Sequence, residues 1–166
     1  MLHAHPDDEL LFAGALMMSM PDWHWTTVSL TGGARAHRYP GISLGFPDPW
    51  RILTRAEYLE WREAVRDLRL TPDIVLSHNR LGEYGHPHHM AVHAIAHELF
   101  RAVWDFYTDV PSSISPQHYQ GQLRTVEVTG AKRKLLDATY PGVYDELRTN
   151  NPELIERLFE VEQFTY

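Results

Sequence analysis

Two clusters of residues in this chain could do chemistry. The first is His5-Pro6-Asp7-Asp8-Glu9. Three adjacent carboxylates beside an apolar segment repel one another unless water or a cation neutralises them. Imidazole and carboxylate together suit zinc, and His5 can meet Asp8 if the chain folds back at Pro6. A plainer reading stays open, because acidic residues in the first turn of a helix are favoured by the helix dipole. The second cluster is Gly82-Glu83-Tyr84-Gly85-His86-Pro87-His88-His89. Its glycines allow close approach to a ligand, and Pro87 is tolerated near a helix start. Histidine is the compositional outlier, with 11 in 166 residues and five (His86, His88, His89, His93, His97) inside twelve positions. That concentration points to metal or proton chemistry. His89, His93 and His97 are spaced four apart and share one helix face. For His93 and His97, packing or solvated surface is the competing reading.

Taken together, the clusters supply a three-ligand metal site with an open fourth position, the arrangement of a catalytic zinc. Asp7 is then left over as a base towards an attacking water. His86, neutral or protonated, could stabilise a developing oxyanion.

These residues need elements to position them. Leu10–Met20 is apolar and helix-friendly up to Pro21-Asp22, and Trp25–Leu30 is strand-like up to Thr31-Gly32-Gly33. Ala34–Leu53, rich in glycine and proline, is expected to be a binding loop. Thr54-Arg55-Ala56-Glu57 is a capping-box pattern that opens a helix to about Leu68. Asp73–Ser77 is a short buried strand, Asn79–Pro87 a loop, and His89–Trp104 a helix. Asp109–Gln120 reads as polar loop, Leu123–Val128 as strand and Ala131–Thr139 as helix. A last helix follows Asn151-Pro152. This alternation predicts an α/β fold, a Rossmann-like three-layer sandwich with a mostly parallel central sheet. Ligands of such sheets sit beyond the carboxyl ends of the strands, and both polar clusters follow a strand.

The whole chain, 1–166, is read as one domain, and its abrupt start leaves room for a missing beginning of the first strand. With 43% apolar and 22% charged residues, a packed core is feasible. A net charge of −7 argues against nucleic acid and anionic membranes as partners. The absence of cysteine excludes disulfides, thiolate zinc sites and a cysteine nucleophile, and it fits a cytoplasmic location. No run approaches a membrane span, and no signal-peptide pattern opens the chain. A homo-oligomer is compatible with the sequence.

Ala4-His5-Pro6-Asp7-Asp8-Glu9 followed by Gly85-His86-Pro87-His88-His89 resembles the paired signature of the PIG-L/LmbE-like family of zinc-dependent N-acetylglucosaminyl deacetylases. Looser matches are Leu30-Thr31-Gly32-Gly33, Pro72–Leu76 and Lys132–Tyr140, in family order. The resemblance implies one Zn2+ held by His5, Asp8 and His89. It implies Asp7 as general base, and His86 as the residue that assists the tetrahedral intermediate or the leaving amine. The implied substrate is a small N-acetylated amino-sugar conjugate containing N-acetylglucosamine. Arg35, His37 and Arg38 could bind its hydroxyl or phosphate groups, and Trp50 could stack on a sugar ring; ordinary surface residues are the plain alternative.

The chain departs from the pattern at two positions. His88 stands where the family has aspartate, so His86 should be a weaker acid–base partner or neutral at pH 7. Ala34 stands where a glutamate often follows the Gly-Gly. Two other readings therefore stay open: a catalytically weakened relative that binds sugar or metal, and a metal-dependent phosphoesterase.

Overall fold

The computed structural model describes residues 1–32, 41–107 and 123–165. Strands β1 (Leu2–His3), β2 (Thr27–Thr31) and β3 (Gly41–Phe46) form a parallel sheet in the order β1-β2-β3. A second sheet comprises β4 (Val75–Ser77), β5 (Val103–Tyr107), β6 (Leu123–Glu127) and β7 (Val161–Thr165), in the order β4-β5-β7-β6. β4 and β5 are parallel, and β7 runs antiparallel to both its neighbours. β1 lies alongside β4, where the Ala4 amide donates to His78 Nε2. The strand layer thus reads β3-β2-β1-β4-β5-β7-β6. The chain leaves β1 towards one side and β4 towards the other, so the crevice expected at such a reversal opens at their carboxyl ends.

Helices cover both faces. On one, α1 (Asp8–Ser19), α5 (Gly130–Thr139), α6 (Val143–Asn150) and α7 (Pro152–Leu158) bury Leu10, Leu16, Leu136 and Ile155 against Phe106 and Phe164 of the sheet. On the other, α2 (Arg55–Asp67) and α4 (Pro87–Leu99) bury Trp61, Val65, Val92 and Ile95 against Leu2, Val28, Leu30 and Val75. This is the α/β three-layer sandwich the alternation predicts. β1, β2 and β4 are buried along their whole length, the polar Thr27, Ser29 and Thr31 that alternate with Val28 and Leu30 in β2 included. The capping box of α2 forms: Thr54 Oγ1 accepts from the Glu57 amide, and Glu57 Oε2 accepts from the Thr54 amide.

The structure corrects the sequence reading at four places. Within the expected loop Ala34–Leu53, residues 41–46 are a strand whose Ile42, Leu44 and Phe46 pack on the second core while Gly41, Ser43 and Gly45 face outward. Its glycines suggest a loop, but they serve a close approach. Gly45 has φ +72°, and a Cβ on Gly32 would come within 2.9 Å of Gly45 Cα. The expected helix His89–Trp104 is instead α4 followed by β5, with no glycine or proline to mark the change. Only the β-branched and aromatic run Val103–Tyr107 signals it. Residues Gly82–Gly85, placed in a loop, form a short helical turn, α3, with non-helical dihedrals at Glu83 and Tyr84. Finally, α6 and β7 are additional elements, and β7 makes that end of the sheet antiparallel. The expected loop Asp109–Gln120 lies outside the described residues. Among the described residues, no helix is long and apolar enough to cross a membrane.

Candidate functional site

The turn after β1 folds back as Pro6 allows. The Asp8 amide donates to the His5 carbonyl (3.2 Å), and the His5 amide donates to Asp8 Oδ2 (2.7 Å). Asp8 opens α1, and Asp7 precedes it as N-cap residue without a side-chain capping bond. Asp8 and Glu9 lie in the first turn of α1, where the dipole favours them, and the Asp7 carboxylate lines a cavity of about 450 Å³ together with His5, Asp8 and Asp48. Leu147 and Leu154 supply an apolar wall.

From the far side of the crevice, α4 delivers His89. Its Nε2 lies 3.2 Å from His5 Nδ1 and 3.7 Å from Asp8 Oδ2, and His5 Nδ1 is 3.3 Å from the same oxygen. Three donors from segments more than eighty residues apart thus converge. His5, His86 and His89 each offer a donor within 4.8 Å of the others, as do Asp8, His78 and His89. These side chains could hold a metal ion. The expected residues His5, Asp8, His89, Asp7 and His86 lie at one site; Arg35 and Arg38, with His37, lie outside the described residues.

His86 caps α4: its Nδ1 accepts from the His88 amide (3.2 Å). An imidazole that accepts at Nδ1 from a helix N-terminus is neutral and carries its proton on Nε2. Burial, with the neighbouring His89 and His5, pushes its pKa down to about 2. The ring stacks on His89 at 4.4 Å and meets Trp50 edge-on at 4.1 Å. Trp50 is exposed, at the rim of the site.

Three residues of the site carry no role in the sequence reading. His78 follows β4, and its Nε2 lies 3.2 Å from Asp8 Oδ2. Glu83 is fully buried, and its Oε2 accepts from Nδ1 of both His78 (2.9 Å) and His89 (2.6 Å). Its Oε1 accepts from the Asn79 amide. Glu83 thereby turns the Nε2 atoms of both rings towards Asp8, and it does so from a left-handed backbone position (φ +54°) that a non-glycine residue adopts only under constraint. Asp48, after β3, reaches His5 Nε2 (3.3 Å) and His88 Nδ1 (2.9 Å). The only sequence signal for His78 and Asp48 is a polar residue just past a strand. Glu83 carries no local signal beyond its place among glycines.

The electrostatics follow from this packing. Burial opposes a charge on His5, yet the Asp8 and Asp48 carboxylates raise its pKa to about 10. Burial likewise opposes ionisation of Asp8, but His89, His5 and His78 hold its carboxyl well below the usual range. His89 is pushed down to about 4 by burial and by His78, so its ring is neutral. Glu83 resists burial and is drawn down to about 2 by His78 and His89. The protein thus concentrates anionic carboxylates around imidazoles, and the positive charge that His5 carries is one that a metal ion would replace.

No family model matches the chain. Its sequence is similar to 1D-myo-inositol 2-acetamido-2-deoxy-alpha-D-glucopyranoside deacetylase 2 of Frankia casuarinae, at 28% identity over 60% of this chain and 48% of that protein. The chain spans about half the length of this curated relative. Among solved structures, it resembles a triple mutant of a deacetylase of the teicoplanin biosynthetic pathway (TM-score 0.68, 14% identity, 99% of this chain and 95% of that one). It also resembles the conserved protein TT1542 of Thermus thermophilus (TM-score 0.60, 18% identity, 99% and 92%). A further likeness is to GalB, the 4-carboxy-2-hydroxymuconate hydratase of Pseudomonas putida KT2440 (TM-score 0.54, 13% identity, 99% and 93%). The shared architecture therefore hosts more than one reaction, and the residues at the site must decide between them. The expected likeness of the chain to PIG-L/LmbE-like deacetylases is borne out by a curated deacetylase in sequence, and deacetylases share its fold.

Proposed function

We propose that this protein is a zinc-dependent hydrolase that removes the N-acetyl group from an N-acetylglucosamine-containing conjugate. The observation that carries the proposal is the convergence of His5 Nδ1, His89 Nε2 and Asp8 Oδ2 at the edge of a cavity that Asp7 also lines. Ligands at about 2.0–2.1 Å in a tetrahedron stand about 3.3 Å apart. The observed separations of 3.2, 3.3 and 3.7 Å bracket that value. Two imidazoles and one carboxylate with an open position are a donor set that suits zinc. The curated relative named for its action on a 2-acetamido-2-deoxyglucoside supports the substrate class. Residues 1–166 are read as a single domain of this kind.

When bound, the zinc would polarise the acetamide carbonyl and lower the pKa of water at the site. Asp7, at the cavity wall, takes the proton of the water as it attacks the carbonyl carbon. His86, neutral with its proton on Nε2, donates a hydrogen bond to the oxygen on which charge develops. Glu83 holds His89 and His78 in orientation through their Nδ1 atoms. Trp50, exposed beside His86, offers a face for the sugar ring. The C–N bond then breaks, the amine takes up the proton and acetate leaves.

A binuclear phosphoesterase would need two metals about 3.5–4 Å apart. His5, Asp48 and His88 do form a second donor group. However, it shares His5 with the first, through the other ring nitrogen, and a single imidazole cannot serve two ions without losing both protons. One ion at His5 is the better reading. The test is acetate release from a panel of N-acetylated amino-sugar conjugates, with and without a chelator. The proposal expects release from glucosamine conjugates that a chelator abolishes and added zinc restores. Phosphate release from phosphoesters, with no acetate from any member of the panel, contradicts it.

A further inference from the structure

The histidine run continues past the site along α4. His93 and His97 stand four residues apart on one face, their ring centres 4.3 Å from each other. That face lies against β5, where Asp105 Oδ1 is 2.9 Å from His97 Nε2 and 3.3 Å from His93 Nδ1. One donor atom from each of the three residues lies within 4.8 Å of the other two. His93 Nδ1 is also 3.0 Å from the His78 carbonyl. The His78 carbonyl and Asp105 both lie within reach of Nδ1, so the ring is held in place against β5. Side-chain exposures of 19% for His93 and 15% for Asp105 mean that packing holds these two donors, while His97 at 44% opens the cluster to solvent. None of the three lines the cavity at Asp7.

We propose that His93, His97 and Asp105 form a second metal site, independent of the one at His5, Asp8 and His89, which takes one divalent transition-metal ion. Two imidazoles and a carboxylate suit zinc, nickel or copper, whereas magnesium and calcium favour oxygen ligands throughout. The ion takes the place of the direct contact between His97 and Asp105, and water completes its coordination. It ties α4 to β5. Because α4 carries His86 and His89 at its other end, occupancy braces the element that positions them without touching substrate.

The test is zinc titration of the metal-free protein by calorimetry, with the wild type beside His97→Gln and Asp105→Asn. The wild type should bind two ions per chain, and each variant one. Thermal unfolding of all three in chelator checks the fold, and a half-exposed His97 should tolerate glutamine. The proposal is overturned if either variant binds as many ions as the wild type. Should either substitution unfold the chain, the imidazole resonances of the wild type decide. Signals of His93 and His97 must move as one of the two equivalents is added, and signals that stay fixed through both overturn the proposal.

Discussion

At the scale of single residues, the proposed function gives the holding of a metal and the movement of a proton to different side chains. Asp7 lines the cavity but stands outside the convergence of His5, Asp8 and His89. Asp7→Asn keeps its shape and removes the base, so zinc content should stay at the wild-type level while kcat falls by roughly 10²–10⁴-fold. Elemental analysis beside acetate release measures both, and loss of the metal would make Asp7 a ligand instead. His89→Ala should do the reverse, emptying the site and abolishing activity together. Equilibrium dialysis against zinc checks it, and full occupancy at the His5 site would remove His89 from the ligand set. Much of this site is legible in the sequence, because five of its residues sit in two contiguous motifs. His78, Glu83 and Asp48 are not legible in that way. His78 reaches residue 8 across the fold, and Asp48 reaches residues 5 and 88; one chain read linearly does not show such pairs. The expectation that His86 is neutral has a physical source visible only in three dimensions: its Nδ1 caps a helix.

At the scale of elements, α1 is the support for Asp7 and Asp8, and a buried ion pair is spliced into its ladder. Lys132 Nζ donates to the Leu11 carbonyl (2.7 Å) and pairs with Glu162 Oε1 (2.8 Å). Glu162 in turn accepts from the amides of Ala15 and Leu16. Both charges are fully buried; desolvation lowers the Lys132 pKa and raises that of Glu162, and each is opposed by its partner. Removing one partner strands the other, so Lys132→Met should cost about 3–5 kcal/mol. The double variant Lys132→Met, Glu162→Gln should cost less than the single. Urea unfolding tests the pair, and a single variant within about 0.5 kcal/mol of wild type would show that the bridge is not needed. Elements with a local signature, such as the capped helix at Thr54 and the apolar α1, are readable in advance. β3, β5 and β7 are not, because their sequences mix glycine or charge into short strands whose pairing is set by distant neighbours.

At the scale of the whole molecule, the reversal between β1 and β4 brings the two histidine motifs together, and a cation there would tie the turn after β1 and the start of α1 to α4. Binding to the native state alone stabilises it by mass action, by about 2.7 kcal/mol at a free concentration of 100 times Kd. A chelator should therefore lower Tm, and His89→Ala should blunt that response. The most direct measurement is acetate release from an N-acetylglucosamine conjugate as zinc is added stepwise to metal-stripped protein. It is made in the His97→Gln background, so that the solvent-facing cluster does not compete. A single catalytic zinc predicts no release without metal, a linear rise to one equivalent per chain, and a plateau beyond it. Release that persists in the stripped protein, or that rises only towards a second equivalent, contradicts it.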